Sequence, residues 1–229
     1  MHGRKYRQQP AAHALKRFEA EVNEEYVLLG WKQICVTIRG SIMISAKEAI
    51  RKLEEGNRKY LTQNTGSGDI SPAARLRTFE NGQQPYAIVI ACSDSRVIPE
   101  SIFSAGIGEL FTIRLAGNVI DDHQLGSIEY AVEHLGSNLV VVMGHTGCGA
   151  VEAAIHHEPS GFIKYITDEI QLAIGEETDP YRASCLNVEH SIRQISHALD
   201  IDHLRHGNDP AVIGAIYHID DGHVEFLHT

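Results

Sequence analysis

The chain has 229 residues, 43% of them hydrophobic, and a formal net charge of −10 from 30 acidic against 20 basic side chains. That length suits one domain with a sizeable core, and the acidic balance argues against nucleic acid or an anionic membrane as a partner. No apolar run approaches transmembrane length, the basic start has no apolar signal core behind it, and the 4 cysteines are dispersed, so a cytoplasmic, reducing setting is expected.

Residues 1–42 are the least patterned part. Leu15, Phe18, Val22 and Tyr26 share a helical face between Ala14 and Gly30, and Trp31 with the run 34–38 reads as a strand or an arm. The extension is either a genuine arm or a mis-assigned start, with Met43 as the true first residue. The Arg39-Gly40 pair before Met43 favours the second reading, because it can be encoded by a purine-rich stretch of the kind bacterial ribosomes bind.

Order becomes legible at Ser45. Ser45-Ala46-Lys47-Glu48 has the form of a capping box, and Ala49, Ile50, Leu53, Tyr60 and Leu61 make an apolar stripe on a helix reaching about Leu61. The Gly-rich stretch 62–69 is a loop, Ser71-Pro72 opens a short helix, and Asn81-Gly82 closes it. The unbroken apolar run Tyr86 to Ile90 predicts a strand buried on both faces. A short helix at 99–103 and a strand at 110–114 follow. Leu125, Ile128, Val132 and Leu135 mark a helix before a second buried strand, 139–143. Helices around 161–174 and 181–199 precede a hairpin of 212–219 and 224–227, turned at Asp220-Asp221-Gly222. Strands alternating with helices predict an α/β fold, with a mostly parallel central sheet flanked by helices and an antiparallel edge strand from the C-terminal hairpin. No linker divides residues 43–229, which are expected to form a single domain.

Both buried runs end in chemistry. The first leads into Cys92-Ser93-Asp94-Ser95-Arg96, the second into His145-Thr146-Gly147-Cys148. In open α/β sheets, ligands bind outside the carboxyl ends of the strands. Thiolate and imidazole are preferred zinc donors, and three of them (Cys92, His145 and Cys148) leave a fourth position for water, the catalytic pattern. Glycines at 144, 147 and 149 let the backbone fold tightly around the second pair. Two buried thiols of no function, or a redox disulfide, are the plainer alternatives. Arg96 follows Cys92 too closely for a cysteine phosphatase loop. A guanidinium beside Asp94 favours the ionised carboxylate and fixes its rotamer, although an Asp–Arg pair in isolation reads as a solvated surface pair.

The pattern Cys92-x-Asp94-x-Arg96 with His145-x-x-Cys148 resembles the β-class carbonic anhydrases, zinc enzymes that interconvert carbon dioxide and bicarbonate. The stretches 53–57, 111–114, 116–118, 127–131 and 213–217 support it, and the likeness runs from about Ser45 to the end. The resemblance implies Zn²⁺ as cofactor, held by Cys92, His145 and Cys148, and an Asp94–Arg96 dyad as the catalytic pair. In some members the aspartate itself takes the fourth zinc position in an inactive form. It further implies that Gln83 hydrogen-bonds bicarbonate and that Phe111 and Tyr130 line an aromatic pocket, with Gln83 and Tyr130 supplied by a neighbouring subunit. A homodimer or higher homo-oligomer follows, and residues 1–42, on the reading that makes them a genuine arm, wrap the partner as N-terminal helices do in relatives. On their own residue types, Gln83 reads as a polar loop residue and the two aromatics as core. Two departures stand out. Leu115 replaces an Asn common in the family, and Val89 occupies the position of a Trp that marks the bicarbonate-inhibited subtype. Relatives with the same fold and ligands hydrolyse carbonyl sulfide or carbon disulfide, and a non-catalytic zinc module is the third reading. Of the 14 histidines, those outside the ligand set receive no role, and neither do Cys35 and Cys185.

Overall fold

A computed structural model describes residues 44–62, 68–157, 161–201 and 210–227, so the expectations for residues 1–42 lie outside the described residues. From Ser45 onward the elements follow as α1 (Ala46–Thr62), α2 (Pro72–Asn81), β1 (Ala87–Ala91), α3 (Pro99–Ile102) and β2 (Leu110–Arg114). A 3-10 turn, Ala116–Asn118, leads to α4 (Asp122–Leu135) and β3 (Leu139–His145). Then come α5 (Gly149–Ile155), α6 (Ile163–Ile174), α7 (Pro180–Ile201), β4 (Ala211–Tyr217) and β5 (Val224–Leu227). The five strands form one sheet in the order β2-β1-β3-β4-β5. Every pairing is parallel except β4 with β5, which closes the edge as an antiparallel hairpin.

The unbroken apolar character of β1 and β3 has its cause in the layers. All five residues of β1 and all seven of β3 are buried. Val89, Val141 and Met143 face one layer with Leu53 and Phe103, while Ile88, Ile90, Val140 and Val142 face the other with Ile128, Val188 and Ile195. Helices therefore cover both faces, and each fully buried aliphatic side chain contributes about 1.5–3 kcal/mol relative to exposure.

Helix α1 differs from its predicted stripe. Leu61 is 43% exposed, and the buried positions are Ala49, Leu53, Gly56 and Asn57. A methyl group on Gly56 would sit 1.8 Å from the Phe103 carbonyl oxygen, so only glycine allows the helix this close to the end of α3. Asn57 is buried yet fully engaged: its amide donates to the carbonyls of Ile102 (3.2 Å) and Gly222 (2.9 Å), and its oxygen accepts from the Val224 amide (3.1 Å). The expected capping box is half formed. Ser45 accepts from the Glu48 amide at 3.2 Å, but the Glu48 carboxylate turns to Arg51. A complete box stands instead at α4, where Asp121 accepts from the His123 amide and Gln124 reaches back to the Asp121 amide. The turn 116–118 and helix α5 carry no clear sequence period, being only three and seven residues long. No helix among the described residues is long and apolar enough to cross a membrane.

Candidate metal centre

Parallel pairing of β1 with β3 brings the two chemical loops side by side at the carboxyl ends of adjacent central strands. Cys92 follows β1 and is buried. Its sulfur accepts hydrogen bonds from the amides of Asp94 (3.4 Å) and Gly117 (3.3 Å). The second donor depends on the turn 116–118, in which Gly117 adopts φ +66°, a conformation glycine takes without strain. Cys148 immediately precedes α5 and is buried.

His145 ends β3 fully buried. Its Nδ1 lies 2.9 Å from the Thr146 carbonyl oxygen, so Nδ1 carries the proton and donates it there. Nε2 is left with a lone pair, buried and without a hydrogen-bond partner in the chain. A buried acceptor of this kind requires a partner, and the sulfurs of Cys92 and Cys148 stand with it in a cluster whose donor atoms all lie within 4.8 Å of one another. Two soft thiolates and one correctly tautomerised imidazole fit zinc. The Cys148 S–H bond to Cys92 pulls the Cys92 thiol well below its ordinary range, while the Cys92 thiolate and burial push Cys148 up.

Asp94 and Arg96 form a two-pronged pair: Nε to Oδ1 at 3.0 Å and Nη2 to Oδ2 at 2.7 Å. The Arg96 guanidinium, aided by its own backbone amide, holds the Asp94 carboxyl well below the usual carboxylate range. Arg96 also donates to the Gly147 carbonyl at 3.2 Å, which ties the first loop to the second. The glycines around Cys148 divide by cause. Gly147 has φ +63°, Gly144 leaves room for Val188 and Ile216, and Gly149 meets neither constraint, which corrects the expectation that all three serve the turn.

Against known proteins, the carbonic anhydrase family profile matches residues 87–224. The carbonic anhydrase of Mycolicibacterium smegmatis is 34% identical over 192 residues, covering 77% of this chain and 91% of that protein. The chain belongs to the β-class carbonic anhydrases. Carbonic anhydrase 2 of Mycobacterium tuberculosis is 33% identical over 76% of this chain and 89% of its own length. Among solved structures, a β-carbonic anhydrase of Aspergillus fumigatus superposes with a TM-score of 0.55 at 30% identity, covering 66% of this chain and 79% of that one. A tetrameric β-carbonic anhydrase of Sordaria macrospora is similar in fold, with a TM-score of 0.61 at 24% identity over 69% of this chain and 88% of the other.

The β-class carbonic anhydrases use zinc, and this chain positions Cys92, His145 and Cys148 to bind it. Leu115, the departure from the family's Asn, packs into the apolar cluster that contains Cys92, Cys148 and Val119, and so walls the centre with hydrocarbon. Val89 is fully buried inside the sheet.

The pocket residues implied by resemblance lie elsewhere in the same chain. Phe111 pairs with Ile88, four residues ahead of Cys92, which at roughly 3.3 Å per residue places it about 13 Å from the metal end of the strand. Its ring lies 6.3 Å from that of Tyr130, which is 47% exposed on α4. Gln83 is exposed at the amino end of β1, at the opposite end of the strand from the ligands. One chain by itself does not gather these three around its own metal centre. Conversely, three residues that sequence reading left without a task touch the centre: Gly117, Thr146 and Arg114. The signal for Arg114 is positional, since it closes a strand next to the one that leads into Cys92.

Proposed function

We propose that this chain catalyses CO₂ + H₂O ⇌ HCO₃⁻ + H⁺ at a zinc ion held by Cys92 Sγ, His145 Nε2 and Cys148 Sγ. The observation that carries this reading is the buried, unpartnered Nε2 of His145 facing two thiol sulfurs. When bound, zinc supplies Lewis acidity that lowers the pKa of a coordinated water. The chain's own groups do the rest. Asp94, kept ionised by Arg96, accepts the hydrogen bond of the attacking water and so points its oxygen lone pair at the carbon of CO₂. Arg96 keeps both carboxylate oxygens occupied, which holds Asp94 in that orientation and ties it to the Cys148 loop. The apolar wall of Leu115 and Val119 suits a substrate with no charge and little hydrogen-bonding capacity.

Gln83, Phe111 and Tyr130 complete the pocket from a second copy of the chain, where Gln83 steadies a bicarbonate oxygen. Their distance from the metal end within one chain supports a homodimer as the smallest working unit. The free thiols of Cys92, Cys148 and Cys185 support a reducing cytoplasm as its compartment.

Metal analysis combined with stopped-flow CO₂ hydration tests the reading. About one zinc per chain and hydration well above the rate without enzyme are expected. Hydrolysis of carbonyl sulfide with no CO₂ hydration, or zinc without either activity, refutes it. Light scattering at assay concentration tests the assembly, and a fully active monomer refutes the shared pocket.

A further inference from the structure

Arg114 ends β2, one strand over from the loop that carries Cys92 and Asp94. Its Nε donates to the Cys92 carbonyl at 3.1 Å, and its Nη2 donates to the Asp94 carbonyl at 2.7 Å. These carbonyls belong to the two peptide planes on either side of the Ser93–Asp94 peptide. The N–H of that central peptide is the one that donates to Cys92 Sγ at 3.4 Å. The same stretch is stitched to β2 by the Ser93 amide, which donates to the Leu115 carbonyl at 3.3 Å, and by the Leu115 amide, which donates to Ala91 at 3.1 Å.

We propose that Arg114 is a positioning residue for the hydration reaction: its forked pair of hydrogen bonds to the Cys92 and Asp94 carbonyls fixes the spacing and orientation of the Cys92 sulfur relative to the Asp94 carboxylate. The proposal rests on the functional reading above, in which Cys92 is a ligand and Asp94 the acceptor for the attacking water. The two guanidiniums divide the work. Arg96 grips the side chain of Asp94, and Arg114 grips the backbone from which that side chain and the sulfur both project. A planar fork suits two carbonyls at fixed separation, whereas a lysine ammonium is a point charge on a flexible stem and holds one of them. Hydrogen bonds that orient the groups around a metal are commonly worth 10–100-fold in affinity or activity.

The test uses the full zinc-loaded chain with Arg114→Lys and Arg114→Gln, and adds cobalt-substituted protein for its visible spectrum. Arg114→Lys should keep close to wild-type metal content while kcat/KM falls about tenfold, mostly in kcat, and the cobalt d–d bands shift. In an Asp94→Asn background the same substitution should add less than a twofold further loss, because Arg114 acts through the group already removed. Unchanged kcat/KM with an unchanged cobalt spectrum in both variants overturns the proposal, as does a full tenfold further loss on top of Asp94→Asn. Should Arg114→Gln not fold, Arg114→Lys decides alone. A wild-type chain that binds metal yet hydrates no CO₂ overturns the functional reading instead, and the cobalt spectra of the variants still decide whether Arg114 sets the geometry of the centre.

Discussion

An imidazole can present either nitrogen to a metal, and the Thr146 carbonyl decides which one here by accepting the hydrogen bond of His145 Nδ1–H. Thr146 is itself pinned, its amide donating to Tyr217 and its hydroxyl accepting from the Ile219 amide, so the orientation of the ligand is inherited from β4. The three-ligand set has no spare member. Cys148→Ser should therefore lose most of its zinc, checked by metal quantification after gel filtration in chelator-free buffer. Asp94 makes the contrasting prediction, since it is not among the ligands: Asp94→Asn should keep its zinc and lose about 10²-fold or more in kcat/KM. The pH dependence follows from the same groups. Two thiolates already neutralise a divalent ion, so a water on it should ionise less readily than beside three neutral imidazoles, where its pKa is about 7. The hydration rate should thus climb from neutral pH into the alkaline range, and a stopped-flow pH profile flat across that range contradicts the mechanism. Asp94 sets a separate acid limit. Its folded pKa is depressed by Arg96, so the stabilisation from this pair is complete above the unfolded carboxyl value of about 3.9 and is lost as pH falls below it.

Among the elements, α1 shows how a helix far from the chemistry supports it. Gly56 and Asn57 form the contact with the end of α3 and with the β4–β5 hairpin, and Asn57 spans 165 residues to reach the Gly222 carbonyl. Asn57→Ala removes three hydrogen bonds at once and leaves two buried carbonyls and one amide without partners. It should destabilise the zinc-loaded protein by about 3 kcal/mol, read from urea unfolding, with little change in kcat for the fraction that remains folded. A loss below about 0.5 kcal/mol would show that the helix takes its place without this asparagine. The same reasoning places the turn 116–118 among the sensitive elements. A methyl group on Gly117 would meet Ile170 Cδ1 at 2.7 Å in a conformation that other residues adopt only with strain.

At the scale of the whole molecule, the described core belongs to a unit that runs from Met43 to Thr229. Both hydrophobic layers, the metal centre and every strand described lie within it. Starting the chain at Met43 should leave zinc content unchanged and kcat/KM within a few-fold of the full-length protein. Insoluble protein, or a smaller assembly than the full chain forms by light scattering, would instead assign residues 1–42 a structural task. The separation of Gln83, Phe111 and Tyr130 from the ligands of their own chain belongs to this scale too, because under the proposed function a second copy of the chain supplies them.

Much of the protein was legible from local pattern alone. The runs ending at Ile90 and Met143 are apolar without alternation because helices cover both sheet faces, and the donor types just beyond them state their chemistry by identity and position. Helix ends at Ser71-Pro72 and Asn81-Gly82 were equally plain, since capping is decided within a few residues. Other features were not legible, for one physical reason: they are side-chain-to-backbone bonds between segments distant in sequence. Arg96 reaches the Gly147 carbonyl across 51 residues, Arg114 reaches Cys92 across 22, and Gly117 supplies an amide to a sulfur 25 residues earlier. A backbone carbonyl or amide is the same group at every position, so no residue type announces that it will be the partner. The donor set is written in the sequence, whereas the orientation of its imidazole and the clamps on its loops exist only once the strands are side by side.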